Sequence, residues 1–251
     1  LRPCGQRKAP DADAPVYGPS VRLDYELEMG VWIGQGNDQG APIAIHDAAD
    51  HIAGFCLLND WSARGIQFWE TMLGPFLGKS IATTLSPWVV TADALAPFRA
   101  PAFARPSSDP PVPAHLYNER DRASGGIDLA MEAWRDDAVG NRRNLCRTNF
   151  RHMYWTPAQM VAHHASNGCS LSVGNLIGSG TASGPEYEAA ACLIERIATA
   201  SAGSQDHDWL ADGDSVTLKA RAERSGYRTI GFGEATASVL PAPNWPGPAR
   251  K

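Results

Sequence analysis

The chain has 251 residues, 43% hydrophobic and 20% charged, a balance typical of a globular protein. Its net charge of -5 and pI of about 5.8 argue against a basic nucleic-acid-binding surface, and no apolar run approaches the roughly 20 residues of a membrane helix. The five scattered cysteines form no Cys-x-x-Cys pair, which favours reduced thiols in a cytoplasmic protein over a disulfide framework or a zinc site.

The N-terminal half predicts strands separated by short helices. Residues 21–31 alternate as a strand does, with Leu23, Tyr25, Leu27 and Met29 on one face and Asp24, Glu26 and Glu28 on the other. The expected elements that follow are a short helix over 45–52 capped near Asp47, a buried strand ending at Asp60, a helix over 62–69 and a strand over 86–91. Six prolines within residues 97–113 predict a loop.

The C-terminal half predicts a strand pair, a helix and a final strand pair. Strands over 127–134 and 142–150 flank a turn at 136–141, and Thr156-Pro157 is typical of a helix start, with the helix continuing to Ala165. A short strand over 175–179 enters a glycine-rich corner at 178–184. Strands over 215–222 and 227–240 close the chain, and Gly231 and Gly233 permit a bulge in the last one.

Three carboxylates suggest a metal site. Glu26 and Glu28 are two apart on a strand and therefore point to the same side, roughly 7 Å apart at their Cα atoms. A solvated edge strand is the simpler explanation of such a pair on its own, but Asp60, at the end of an apolar strand, supplies a third carboxylate. An all-oxygen set of this kind suits Mg²⁺ or Ca²⁺.

Several polar side chains follow Asp60 closely and extend the candidate site. Lys79 lies next to Gly78, which allows close approach of a substrate, and a lysine beside a metal can stabilise an oxyanion. Arg64 and Gln67 are three apart and share one face of a helix. The glycine-rich corner lacks the lysine of a P-loop, so we interpret it as a tight turn that presents Thr181 to a pocket.

Seven sequence blocks, taken together, are more specific than any of these patterns alone. They are LDYELEM (23–29), NDWSAR (59–64), LGPFLGKS (73–80), SPWVV (86–90), HMYWT (152–156), SNGC (166–169) and GSGTASG (178–184). In this order, along nearly the full chain, they resemble the fumarylacetoacetase family, whose members act in the last step of tyrosine and phenylalanine catabolism. In the wider fumarylacetoacetate hydrolase superfamily only the paired glutamates and the aspartate are general.

The resemblance implies a β-rich α+β fold, in which residues 1–251 form one catalytic domain built as a mixed β-roll and assembled as a homodimer. It implies a divalent cation, Ca²⁺ or Mg²⁺, for which Glu26, Glu28 and Asp60 match three ligands and Lys79 and Thr83 match positions near a second cation. The family residues that hold the substrate oxyanions are matched by Arg64, Gln67 and Lys79. The substrate contacts are matched by Gln67, Thr71 and Thr181. Glu195 corresponds, by its spacing from Thr181, to a glutamate that orients the catalytic histidine.

The chain also departs from the family pattern. The family's catalytic histidine, one aspartate ligand, two substrate-binding tyrosines and a small SH3-like domain precede the part matched by Arg2 to Gln6, so we expect an N-terminally truncated catalytic domain. Gly65 replaces an aspartate, one residue is missing between Glu70 and Leu73, and Thr71 replaces a substrate-contacting tyrosine. We therefore expect the metal cage to be incomplete.

The function expected from the resemblance is metal-dependent hydrolysis of the carbon–carbon bond of 4-fumarylacetoacetate, giving fumarate and acetoacetate. One alternative is a relative that acts on another β-keto acid, such as an acylpyruvate hydrolase. Another is an inactive chain that keeps the fold and binds metal or a partner subunit. Because the family's histidine is not matched, the chain alone is expected to be inactive or weakly active.

Overall fold

In the computed structural model, the described residues are 1–9, 11–70, 74, 76–199 and 208–244. They form fifteen strands, which confirms the expected β-rich α+β class. The strands of the first half are β1 (Cys4–Arg7), β2 (Val16–Pro19), β3 (Leu23–Asp24), β4 (Leu27–Ile33), β5 (Ile52–Asp60), β6 (Ser62–Ala63), β7 (Thr83–Leu85) and β8 (Val90–Thr91). Those of the second half are β9 (Arg99–Ala100), β10 (Gly126–Ile127), β11 (Ala130–Asp136), β12 (Arg142–Asn149), β13 (Leu176–Gly178), β14 (Ser215–Ala222) and β15 (Ile230–Ser238).

The helices of the described residues are short. The α-helices are α1 (Arg64–Glu70), α2 (Glu119–Ser124), α3 (Pro157–Ala165) and α4 (Leu193–Thr199). Single turns of 3₁₀ helix occur at Ala48–His51, Ala96–Phe98, Ala114–Leu116, Phe150–His152 and Tyr187–Ala189. Within the described ranges, a helix with the length and apolar character needed to cross a bilayer is not found.

Two larger sheets enclose the core. One has the strand order β13-β4-β5-β7, with β8 also paired to β5, and the other has the order β12-β11-β14-β15. Strand β5 packs against β14 and β15, so the apolar faces of the two sheets meet. Leu27, Met29 and Leu57, for example, are fully buried in one continuous hydrophobic cluster. Burial of such side chains, at about 1.5–3 kcal/mol each, is the main term that stabilises this arrangement.

The pairing of β4 with β5 places the predicted carboxylates together. The strands are antiparallel, and Leu27 lies opposite Asn59 while Glu28 lies opposite Leu58. Strand β4 begins where β5 ends, so the end of β5 at Asp60 lies beside the residues that precede Leu27. Because successive residues of a strand point to opposite faces, the apolar side chains face the core and the glutamates face away from it.

The predicted strand over 21–31 is interrupted at Tyr25 and Glu26, which separate β3 from β4. At the interruption the Glu26 N–H donates to the side-chain Oδ1 of Asn59 at 3.1 Å, in place of a backbone carbonyl of the neighbouring strand. Glu26 also forms an isolated bridge with Cys192, which brings the segment before α4 to this point. The interruption of the strand therefore lies next to the three carboxylates Glu26, Glu28 and Asp60.

Other predictions differ from the structure for identifiable reasons. The strand expected over 86–91 is replaced by β7 and β8, because Pro87 has no N–H for a sheet ladder and Ser86 uses its Oγ to accept from the Leu57 N–H. The helix expected over 45–52 is only the 3₁₀ turn Ala48–His51, and helix α4 was not predicted. The predicted strand over 215–222, the capped helix ending at Ala165 and the bulge at Gly233 are confirmed.

We predict that Asn59→Ala lowers the free energy of unfolding by about 1–3 kcal/mol, because the buried Glu26 N–H loses its acceptor. Urea denaturation of the chain measures this change. Asn141→Ala is the matched control, since that asparagine lies in an exposed turn and its loss should change stability by less than about 0.5 kcal/mol. Equal effects of the two substitutions would show that the Asn59 side chain does not stabilise the backbone at Glu26.

Candidate metal centre

Three carboxylates converge at the broken end of β4. One oxygen from each of Glu26, Glu28 and Asp60 lies within 4.8 Å of the others. The two glutamates are buried, and the Asp60 side chain is 31% exposed, so the cluster opens to solvent on the Asp60 side. The structure therefore brings these three predicted residues together.

Lys79 lies against two of the three carboxylates. Its Nζ is 2.5 Å from Glu26 Oε2 and 3.0 Å from Asp60 Oδ2. The segment before it is held by Glu70, whose carboxylate accepts from the Gly78 N–H at 2.9 Å. Gly78 is needed for this approach, because a Cβ there would lie 2.9 Å from the Gln67 backbone and side chain. Helix α1 therefore sets the position of the lysine.

Arg64, at the first position of α1, links the cluster to the core. Its Nε donates to Asp24 Oδ2 at 2.9 Å, one terminal nitrogen donates to Glu26 Oε1 at 2.7 Å, and the other donates to Gln67 Oε1 at 2.9 Å. Its side chain is only 6% exposed. Because Gln67 accepts through its oxygen, the two N–H groups of that amide are directed elsewhere.

The cluster carries more negative than positive charge. Four carboxylates face two cationic side chains within the described residues, namely Asp24, Glu26, Glu28 and Asp60 against Arg64 and Lys79. Burial raises the pKa of Glu28 to about 8, and the charges of Glu26 and Asp60 add to the effect. Burial also acts on Glu26, but Lys79 and Arg64 outweigh it and hold the pKa of Glu26 below its ordinary value. Glu28 is therefore the carboxylate of the cluster that holds a proton most readily.

The glycine-rich corner after β13 covers Glu28. The Gly180 N–H donates to Glu28 Oε2 at 3.0 Å, and a Cβ on Gly178 would lie 2.9 Å from the same oxygen. Beyond this turn, Ser183 donates its hydroxyl to Glu195 on α4 and receives the Ala191 N–H at 3.2 Å. The corner, which contains Thr181, therefore contacts the carboxylate cluster through Gly180 and helix α4 through Ser183.

The remaining predicted residues take the following positions. Thr83 starts β7 directly opposite Asp60 in the ladder, so it borders the cluster. The ammonium group of Lys79 cannot ligate a cation while it is protonated, and its backbone carbonyl already accepts from the Ile81 N–H at 2.9 Å. Thr71 lies outside the described residues.

Four residues that organise the site were not predicted to do so. They are Asp24, Asn59, Glu70 and Ser183. Asp24 shares the polar strand face with the two glutamates, and this alternation is the one signal that could have identified it. The others hold backbone groups or side chains that only the folded chain brings near them.

The donor set fits a hard divalent cation. Oxygen ligands from carboxylates are those that Ca²⁺ and Mg²⁺ prefer. A charge of two would balance the two negative charges left after Arg64 and Lys79 are counted. Glu26, Glu28 and Asp60 are the residues that would hold such an ion.

Comparison with known proteins identifies a family that this chain matches. A model of the family described as "Fumarylacetoacetate (FAA) hydrolase C-terminal" matches residues 7–240. The chain is 47% identical over 248 residues to a Caenorhabditis elegans fumarylacetoacetase and 44% identical over 248 residues to the Bos taurus fumarylacetoacetase. Each alignment covers 96% of this chain, and the chain spans 58% of the length of each of these relatives.

The fold also resembles a solved structure of fumarylacetoacetate hydrolase from Exiguobacterium antarcticum. The TM-score is 0.54 at 20% identity, over 87% of this chain and 57% of the other. At this identity the likeness concerns the fold alone, and it agrees with the expected fold type.

We predict that cation binding at about pH 7 releases close to one proton, because Glu28 is then mostly protonated and only the carboxylate form is a ligand. The affinity for Mg²⁺ or Ca²⁺ should rise between about pH 6 and pH 9 as this group loses its proton. Isothermal titration calorimetry in buffers of different ionisation enthalpy measures the release. Glu28→Gln should remove it, and binding by the wild type without proton release would contradict the assignment of the raised pKa to Glu28.

Proposed function

The chain belongs to the fumarylacetoacetate hydrolase family, and from this premise we propose that the whole protein hydrolyses the carbon–carbon bond of 4-fumarylacetoacetate. The products are fumarate and acetoacetate, as expected for a fumarylacetoacetase. The observation that carries the proposal is the convergence of Glu26, Glu28 and Asp60 beside Lys79. The site combines a cation-binding oxygen set with donors suited to an anionic substrate.

The carboxylate cluster supports the metal dependence of this reaction. Glu26, Glu28 and Asp60 are proposed to hold Ca²⁺ or Mg²⁺. A cation there would polarise the carbonyl oxygens of a β-diketone and favour its enolate form. The cluster opens on the Asp60 side, where this side chain is 31% exposed, and this is the side from which a substrate can reach it.

The positive and neutral donors next to the cluster suit the charge that develops during cleavage. Water adds to one carbonyl carbon, the carbon–carbon bond breaks, and the carbon that leaves with the electron pair takes up a proton. Lys79 reaches this region with a side chain that is 21% exposed. The amide N–H groups of Gln67 are held in a fixed direction by Arg64. Both are assigned to bind the oxyanions of the substrate and of the transition state.

Thr181 and Glu195 are assigned to the opposite side of the site. Thr181 lies in the corner whose Gly180 contacts Glu28, and this position supports its role as a substrate contact. Glu195 is joined to the same corner through Ser183, in keeping with a role in orienting the group that activates water. Within the described residues no histidine is hydrogen-bonded to Glu195 or to the three carboxylates. We assign the water-activating histidine, and the homodimer, to the whole protein.

We predict that Mg²⁺ or Ca²⁺ raises the melting temperature of the chain and that Asp60→Ala abolishes this rise. A ligand that binds only the native state stabilises it by about 2.7 kcal/mol at a concentration one hundred times its dissociation constant. Differential scanning calorimetry with and without the cation measures the effect. Asp50→Ala, which changes an exposed aspartate, should leave the rise intact. An equal rise in both variants would show that the cation binds elsewhere.

We predict that the 251-residue chain alone shows no more than trace hydrolysis of fumarylacetoacetate, because removal of a positioned general base typically costs about 10²–10⁴-fold in rate. Joining it to the remaining part of a close relative should restore turnover, followed by loss of the diketone absorbance. An acylpyruvate serves as the comparison substrate. In the restored enzyme, Lys79→Ala should cost about 10²–10³-fold in kcat. Lys219→Ala, which changes a lysine of β14 paired with Glu234 of β15, should cost little.

Rapid turnover by the chain alone would contradict this account of the base. His152 would then be the histidine to test first, because its ring packs 3.1 Å from where a Cβ on Gly184 would lie, at the end of the Thr181 corner. Preference of the restored enzyme for the acylpyruvate would contradict the assigned substrate.

A further inference from the structure

Asp24 is a fully buried carboxylate in the described structure, and each of its oxygens has two donors. Oδ1 accepts from the N–H groups of Tyr25 at 2.8 Å and Leu193 at 2.7 Å. Oδ2 accepts from Arg64 Nε at 2.9 Å and from the Ile194 N–H at 3.1 Å. One side chain therefore joins β3, the start of α4 and the guanidinium group of α1.

The hydrogen bond between Asp24 and Arg64 determines which nitrogen of Arg64 donates to Glu26. With its Nε–H held by Asp24, the guanidinium presents a single terminal nitrogen to Glu26 Oε1 at 2.7 Å. Glu26 Oε2 is left for the open side of the cluster, where Lys79 Nζ now lies at 2.5 Å. An arginine and a carboxylate that are not restrained in this way favour a two-point contact that uses both carboxylate oxygens.

Loss of the Asp24 acceptor would therefore change Glu26 as well as Arg64. The buried Nε–H of Arg64 would need another acceptor, and Glu26 is the carboxylate that Arg64 already contacts. A two-point contact would take Glu26 Oε2 away from Glu28 and Asp60. Only Glu28 and Asp60 would then still direct an oxygen at the proposed cation position.

We infer that Asp24 is a positioning residue for the cation site, acting through Arg64 to keep one oxygen of Glu26 directed at the other two carboxylates. The inference rests on the cation site of the proposed function. It adds a residue that does not itself touch the cation or the substrate. Partners of this kind, which hold the ligands of a metal, typically contribute 10–100-fold in metal affinity.

Asp24→Asn tests the inference with little change in shape. The amide oxygen can replace Oδ1 and keep the Tyr25 and Leu193 donors. The amide nitrogen then replaces Oδ2 and, being a donor itself, no longer accepts from Arg64 Nε or from the Ile194 N–H. The matched control is Asp214→Asn, because Asp214 is also buried and also pairs with an arginine, Arg135, at 2.6 Å, on the other sheet.

Isothermal titration of the folded chain with Mg²⁺, and separately with Ca²⁺, gives the dissociation constants. We expect Asp24→Asn to raise the dissociation constant at least about tenfold and Asp214→Asn to leave it unchanged. Tight binding by the wild type with an unchanged constant in Asp24→Asn would overturn the inference and leave the proposed hydrolase standing. Failure of the wild type to bind either cation would overturn both.

A second measurement needs neither a cation nor a variant of Asp24. The Nε–H signal of Arg64 in the NMR spectrum, assigned by its loss in Arg64→Lys, should exchange with solvent much more slowly than that of exposed Arg120. Equally rapid exchange of the two signals would overturn the inference. If Asp24→Asn does not fold, Asp24→Ser takes its place, because a hydroxyl can still accept from the amides at the start of α4.

Discussion

An excess of buried negative charge is the constraint on which the rest of this structure depends. Four carboxylates lie within reach of only two cationic side chains in the described residues, Arg64 and Lys79. Placing charges in a poorly solvated region costs several kcal/mol per ion unless they are paired. A protein gains nothing in stability from such an imbalance, and its presence at an opening of the fold indicates a function. A bound divalent cation would resolve the imbalance, and the raised pKa of Glu28 lets a proton offset part of it.

The fold supplies this cluster through the ends of its elements. Strand β5 ends at Asp60, strand β4 begins just after Glu26, and helix α1 begins at Arg64. Glu26, Asp60 and Arg64 therefore lie where a strand or helix begins or ends. Side chains accept from backbone N–H groups at these ends: Asn59 accepts from the Glu26 N–H, and Asp24 accepts from the amides at the start of α4. Because a side chain satisfies the Glu26 N–H, the strand can end at this point without an unsatisfied backbone group. The carboxylates of its polar face can then lie together at the opening.

The parts of the site that could be predicted from the sequence are those with a local signal. Alternation placed Glu26 and Glu28 on one face, and the abrupt end of an apolar run singled out Asp60. The glycine-rich run placed Thr181 in a tight turn facing a pocket, but family resemblance was needed for its role as a substrate contact. It was also needed for Glu195, whose neighbours are far away in the chain. No local pattern links Asp24 to Leu193 or Ser183 to Glu195, since those contacts depend on how the corner at 178–184 packs against β4. For the same reason helix α4 was missed, because its start is held by a carboxylate from another part of the chain.

The central claim is that Glu26, Glu28 and Asp60 together bind one divalent cation. The most direct measurement is anomalous X-ray diffraction from crystals of the protein grown with Mn²⁺, which takes the oxygen ligands of Mg²⁺ and Ca²⁺ and can be located unambiguously. The account predicts one strong anomalous peak, about 2.0–2.6 Å from an oxygen of each of the three carboxylates. A peak that lies elsewhere, or no peak at a saturating concentration of Mn²⁺, would contradict it.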